Sequence, residues 1–288
     1  MNRVLLSLVV FALCGGAFAQ AQFGLSPLSA FASLERGQSS VNMTVRNPGT
    51  EPLRIRVSAE PFTYASTGLS QQNVGPGDAT PYVQIAPREF TLAPGTSQRV
   101  RVVARIPPSL GLAEYRSLIV AERLTEPVEL DDTDRAEGEV RAVTAVNARF
   151  GATLYFVTSA ATPGLEALSA RVENGEIRLS VRNQGSGSAR VATKYQIEQD
   201  GVPVVTDSAG RISVIAASER SFQIGSAAAL DPGSYVLRGT LLPFVGNNQA
   251  DSVAFAVPLV VPELPDVNTG DGSDNGSDNG SSDGSDGQ

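Results

Sequence analysis

The chain has 288 residues, 41% of them hydrophobic and 18% charged, with no His, no Trp and a single Cys. That inventory excludes a Ser-His-Asp triad, a Cys-His dyad, a His-based zinc site and a zinc ribbon, so any enzyme would have to run on carboxylates, Lys, Arg, Ser or Tyr. A formal charge of −8 speaks against nucleic acid as a partner, and the length fits about two domains.

The N-terminus reads as a processing signal. Met1-Asn2-Arg3 is followed by a mostly apolar run from Val4 to Cys14 and then by small residues. Both Ala17-Phe18-Ala19 and Ala19-Gln20-Ala21 fit a small-x-small cleavage site, which sets the mature start at Gln20 or Gln22 and assigns residues 1–21 to an export signal. The run is short of the ~20 apolar residues that span a membrane, so no transmembrane segment is expected. Leu13 is bulkier than the residue a lipidation site carries before its Cys, which weighs against Cys14 as a lipid anchor. Cleavage at either site removes the only Cys. The mature chain then has no disulfide, and at this length it can build its core without one.

The body reads as strands. Val41-Asn42-Met43-Thr44-Val45, Leu53-Arg54-Ile55-Arg56-Val57 and Val100-Arg101-Val102 alternate apolar with polar, which turns one face to a core and the other to water. Asn47-Pro48-Gly49, Gly75-Pro76-Gly77, Ala93-Pro94-Gly95 and, later, Asp231-Pro232-Gly233 are turn signals. No window of helical length carries helical periodicity with caps. The expected fold class is all-β: two immunoglobulin-like β-sandwiches in tandem.

A long acidic stretch, Glu126 to Glu139, precedes Val140–Phe150 and then Leu154-Tyr155-Phe156. Pro163-Gly164 suits a hinge, which divides the body into a first domain at 22–158 and a second at 165–262. The layout repeats across that division. Val45-Arg46-Asn47-Pro48-Gly49 precedes Leu53-Arg54-Ile55, as Val181-Arg182-Asn183-Gln184-Gly185 precedes Ala189-Arg190-Val191. Leu92-Ala93-Pro94-Gly95 precedes one strand, as Leu230-Asp231-Pro232-Gly233 precedes Tyr235-Val236-Leu237. Residues 263–288 are Gly, Ser, Asp and Asn with almost nothing apolar, and are expected to be a disordered tail. Their Asp spacing lacks the fixed ligand pattern of a calcium loop. They carry seven acidic residues, which leaves residues 20–262 with a net charge of −2.

Residues 23–157 resemble the N-terminal domain of the PapD-like periplasmic pilus assembly chaperones. Phe23-Gly24-Leu25-Ser26-Pro27, the strands at Gly37–Val45 and Leu53–Pro61, Tyr82 to Gly95 with its Ala93-Pro94-Gly95 turn, Gln98–Val102 and Glu114–Val120 stand in the family's order. The resemblance implies a chaperone that completes an exported pilin-like or other β-rich subunit with a strand of its own. The matching donor face is Val140, Ala142, Thr144, Val146, Ala148 and Phe150; Arg141, Val143, Ala145, Asn147 and Arg149 form the other face. Small residues at 142, 144 and 148 make a weak plug, because Ala in place of Leu or Ile forfeits about 1–2 kcal/mol per position. The family's two basic residues for a subunit's terminal carboxylate correspond here to Phe31 and Thr153, neither basic, which leaves Arg149 and Arg36 as candidate carboxylate anchors. Arg116, within Glu114-Tyr115-Arg116, is expected in a structural ion pair. An outer-membrane usher is a further implied partner, the periplasm is the implied location, and no cofactor or metal is implied.

Two readings outside this one use the same residues. A non-chaperone immunoglobulin-like envelope or surface protein, secreted or at the outer surface, needs no donor strand and no anchors. Catalysis finds little support. Asp131, Asp132 and Asp134 have no apolar pocket to raise a pKa. The Gly-x-Ser-x-Gly match at Gly280–Gly284 lies in the tail. Gln184–Ser188 follows a strand without a helix behind it, and Lys194 lies outside any phosphate-loop context.

Overall fold

The computed structural model of the protein describes residues 23–65, 68–70, 75–124 and 148–263. These residues form strands joined by turns and by two 3-10 segments at Thr80–Tyr82 and Pro108–Leu110. Among them no helix is long and apolar enough to cross a membrane.

The first sandwich has two sheets. One contains β1 (Gly24–Ser26), β3 (Gln38–Arg46), β9 (Ser97–Arg105) and β7 (Val83–Ala86), in that spatial order. The other contains β2 (Ser29–Ser33), β11 (Arg149–Val157), β10 (Glu114–Arg123), β4 (Leu53–Glu60) and β8 (Glu89–Leu92). A small hairpin, β5 (Thr63–Ala65) and β6 (Gly68–Ser70), follows β4. The alternating segments form strands and bury the expected side: Met43, Val45, Ile55, Val57, Val100 and Val102 are core residues. Each such burial is worth about 1.5–3 kcal/mol.

The second sandwich pairs β12 (Leu165–Glu173), β13 (Glu176–Asn183) and β16 (Ser218–Ser226) in one sheet. The facing sheet holds β15 (Val202–Val214), β14 (Ala189–Gln199) and β17 (Gly233–Val245), and β17 also pairs β18 (Asn248–Gln249) and β19 (Val253–Val261). Ile177, Leu179, Val191, Ile197, Leu237 and Leu259 fill its core.

The repeated Asn has the same function in both copies. Asn47 is fully buried; its Oδ1 accepts from Gly49 N–H at 3.0 Å and its Nδ2 donates to the carbonyls of Glu51 at 2.7 Å and Leu92 at 3.0 Å. Asn183 is also fully buried; its Oδ1 accepts from Gly185 N–H and Gly164 N–H, both at 3.0 Å, and its Nδ2 donates to the carbonyls of Gly187 at 2.9 Å and Val214 at 3.2 Å. In each sandwich one amide side chain pins a turn to a distant strand, which is how a buried polar group becomes stabilising rather than costly.

The segment 158–164, where the hinge is expected, is hydrogen-bonded at both ends. Thr158 N–H donates to Ala113 O at 2.8 Å, and Gly187 N–H donates to Thr162 O at 3.0 Å. A Cβ on Gly185 would stand 2.2 Å from Thr162 O and 2.4 Å from Gly164 N, so only glycine admits this approach. Gly185→Ala is expected to loosen the connection, read as faster protease cleavage within 158–164.

Candidate functional site: the open flank of β11 and the contact between the sandwiches

β11 is paired along its whole length on one side, from Glu122↔Arg149 to Glu114↔Val157 of β10. On its other side β2 runs parallel and covers only Thr153 to Val157. Hydrogen bonds fix which groups face which side. Arg123 N–H donates to Ala148 O, so even-numbered residues bond β10, whereas Thr153 N–H donates to Leu28 O on the β2 side. The backbone amides and carbonyls of Arg149 and Gly151 therefore point away from β10, beyond the reach of the β2 ladder. Such a flank is a template for another strand.

The candidate donor residues divide. Val140, Ala142, Thr144 and Val146 lie outside the described residues. Ala148 and Phe150 are half-buried against the first core, and the Phe150 ring stands edge-on to Phe23 with centroids 4.8 Å apart. The two candidate anchors are not brought together. Arg149 Nη2 pairs with Glu60 Oε1 at 2.6 Å and its Nε lies 3.7 Å from Glu122 Oε2, so acids on neighbouring strands already neutralise it. Arg36 is exposed in the left-handed turn ahead of Gly37, beside Ile106, Pro107, Tyr115 and Thr158. Phe31 stacks on Tyr155 at 4.4 Å, and Thr153 is buried in β11.

Phe31 and Tyr155 belong to a cluster between the sandwiches. Phe62, Leu118, Val120 and Tyr155 on the outer face of the β10 sheet receive Ile215 from the second sandwich, with Phe31, Tyr64 and Val157 around them. This contact explains why Glu114 through Ala121 is buried without alternation: one face lines the core and the other lies under the second domain. Arg220 of β16 lays its guanidinium over the Tyr64 ring at 4.0 Å, and its Nη1 donates to Ser213 O at 2.5 Å. Burial lowers the Arg220 pKa, and the Tyr64 and Tyr155 phenols oppose that shift. Burial pushes the Tyr155 phenol well above its ordinary value, and Tyr64 pushes it the same way. Beside the cluster is a cleft of about 610 Å³ between Phe31, Ser33 and Val157 on one side and Val245 to Ala250 on the other, with no charged side chain among the described residues that line it.

The second interdomain contact is polar. Glu114 of β10 is buried; it accepts from Ser188 N–H at 2.5 Å and from the Ser188 hydroxyl, and Arg116 Nη1 lies 3.8 Å away. Arg116 is thus in the expected structural ion pair. The Ser188 hydroxyl in turn accepts from Ala216 N–H at 2.9 Å. Burial raises the Glu114 pKa above its ordinary 4.5, and the Ser188 hydrogen bonds and the Arg116 charge offset part of that rise. The folded state thus holds the proton more tightly than the unfolded chain. This group's contribution to stability is greatest below about pH 4.5 and declines as the pH climbs toward the raised value. Glu114→Gln removes that titration. Urea melts from pH 4.5 upward should show wild type losing stability relative to the variant, and parallel curves would refute the assignment. Ser188, Ile215 and Arg220 are not legible as site residues, because each acts only across the domain contact.

The fold defines a tandem immunoglobulin-like β-sandwich protein in whose first domain, among the described residues, β2 covers only part of one flank of β11. No family model matches the sequence, and no curated protein matches it. Among solved structures the chain is similar to the Class 5 fimbriae chaperone CfaA, at 14% identity over 84% of this chain and 100% of that one, with a TM-score of 0.47. It is similar to the chaperone–tip adhesion subunit pre-assembly complex CsuC-CsuE of Acinetobacter baumannii at 13% identity, over 83% of this chain and 98% of the matched one, with a TM-score of 0.45. It is also similar to the Pseudomonas aeruginosa CupB2 chaperone at 12% identity, over 81% of this chain and 99% of that one, with a TM-score of 0.44. At these identities and TM-scores the likeness is one of overall layout, and neither client nor activity follows from it.

Proposed function

We propose that the protein is a periplasmic chaperone that binds exported β-rich, pilin-like subunits by pairing a subunit strand with the open flank of β11. The observation that carries this is the set of outward-pointing backbone groups at Arg149 and Gly151, beside a strand otherwise fixed by β10. Strand addition draws affinity from main-chain hydrogen bonds and specificity from alternate side chains, and the flank continues in sequence toward Val146, Thr144, Ala142 and Val140. In this reading residues 1–21 direct export, 22–158 form the donor domain, 165–262 the second domain and 263–288 the tail. An outer-membrane usher is a further partner. Ligand capture, rather than catalysis, is the activity.

The uncharged cleft and the neutralised Arg149 favour a second reading, an immunoglobulin-like envelope or surface structural protein without clients. Gly151→Pro separates the two. It deletes an N–H on the open flank and leaves the β10 ladder, which runs through residues 150 and 152, at the cost of a shift of Leu118, whose Cδ1 would lie 3.0 Å from a Cβ at 151. Val146→Asp is the companion variant. Phe150→Asp is avoided because Phe150 packs on Phe23. Co-purification from the envelope fraction, read by mass spectrometry, should show client recovery falling about tenfold in both variants with the thermal melt retained. Undiminished recovery with a retained melt would leave the structural reading.

A further inference from the structure

Acids pair with many of this protein's arginines, but one face of the first sandwich gathers four that have no acid partner. On the outer side of the β10 sheet, Arg54 and Arg56 pair with Glu89, and Arg56 and Arg149 reach Glu122. In the second sandwich Arg171, Arg178, Arg182 and Arg238 each have a Glu partner. The outer face of the β1-β3-β9-β7 sheet is different. Arg99, Arg101 and Arg105 project from β9 on the side opposite buried Val100, Val102 and Ala104, and Arg46 lies on the same face of β3. Their cross-strand neighbours are Thr44, Asn42, Gln38 and Ser97. Ala86 lies beyond Arg101 on β7, and Gly24 lies beyond Arg46 on β1. Exposed Glu35, bridged to Gln38, stands at the Arg105 end of that face, but none of the four exposed guanidiniums has an ion-pair partner there among the described residues.

The chain supplies the missing anion itself. Residues 20–262 carry a net charge of only −2, whereas residues 263–288 carry seven acids and no base. This segment follows directly on β19, which ends at Val261. Fully extended, a segment of this length reaches on the order of 80 Å, well beyond the ~13 Å radius of gyration of a domain of 100 residues. Its Gly, Ser and Asn content lets Asp carboxylates meet guanidiniums spaced about 7 Å apart along β9 without a fixed backbone conformation.

We propose that the four-arginine face of the first sandwich is the docking surface for the chain's own acidic C-terminal segment, residues 263–288. The contact is electrostatic and exchanging.

The test is amide NMR of the 15N-labelled full chain, comparing wild type with Arg99→Ser/Arg101→Ser and with the control Arg171→Ser/Arg182→Ser, which removes the same charge elsewhere. The tail amides should shift in the first variant and not in the control. The wild-type tail should move toward the variant's positions above about 0.3 M salt, where the Debye length falls below ~6 Å. Tenfold dilution should leave the wild-type shifts unchanged. Tail amides that superimpose in all three proteins would overturn the proposal, as would loss of the shifts on dilution. So would superimposable tails accompanied by Arg99- and Arg101-dependent co-sedimentation with phosphatidylglycerol vesicles, an outcome that would assign the face to a lipid surface instead.

Discussion

Asn47→Ala is expected to destabilise the first sandwich by about 2–4 kcal/mol, and Asn183→Ala the second by a similar amount. Asn47 is fully buried and uses both ends of its amide, so alanine strands the Gly49 N–H and the carbonyls of Glu51 and Leu92. Each polar group left without its partner in the interior costs roughly 1–3 kcal/mol, moderated where water can enter the turn. At Asn183 the same truncation strands Gly185 and Gly164 N–H and the carbonyls of Gly187 and Val214, so it also frees one end of the interdomain connection. Aspartate is no remedy at either site. It keeps the acceptor, loses the Nδ2 donor and buries a charge. Urea unfolding should show lower midpoints for both variants with unchanged slopes. A loss below about 0.5 kcal/mol at either position would mean that the turn closes without its amide.

Ile215→Asp is expected to separate the sandwiches while sparing their cores. Ile215 is 2% exposed and is the second domain's contribution to the Phe62, Leu118, Val120 and Tyr155 cluster. A carboxylate among those rings is either ionised without a partner or protonated at a cost of several kcal/mol, and opening the interface releases it to water. Neither domain core includes Ile215. The expected signature is a larger radius of gyration by small-angle scattering and rapid cleavage within 158–164, with both domains still folded. Ile215→Val should cost only about 0.5–1.5 kcal/mol and keep the domains together. A compact, protease-resistant Ile215→Asp variant would show that the Glu114–Ser188 contact suffices to hold them.

How far the site could be read in advance depends on which residues meet which. The alternation of Val41–Val45 and Val100–Val102 announces strands and their buried faces, because side chains in a strand repeat every two residues. The same alternation places Arg99 and Arg101 on one outward face. That no acid lies opposite them follows only from the register of β3, β9 and β7, which brings Thr44, Asn42 and Ala86 alongside. Phe31 and Thr153 are legible as uncharged residues, but the stack of Phe31 on Tyr155 is not. The donor residues from Val140 to Val146 lie outside the described residues, and Phe150 proves to be a core contact of Phe23.

Local chemistry written in the chain decides the all-β character, the two-fold repetition and the positions of the Asn-x-Gly turns, because strand periodicity and amide-pinned turns act over a few residues. Only the folded arrangement decides that Glu114 meets Ser188, that Ile215 closes an aromatic cluster and that β2 leaves part of β11 uncovered. Those outcomes depend on pairings between residues far apart in the chain, for which no short stretch of sequence carries a signal.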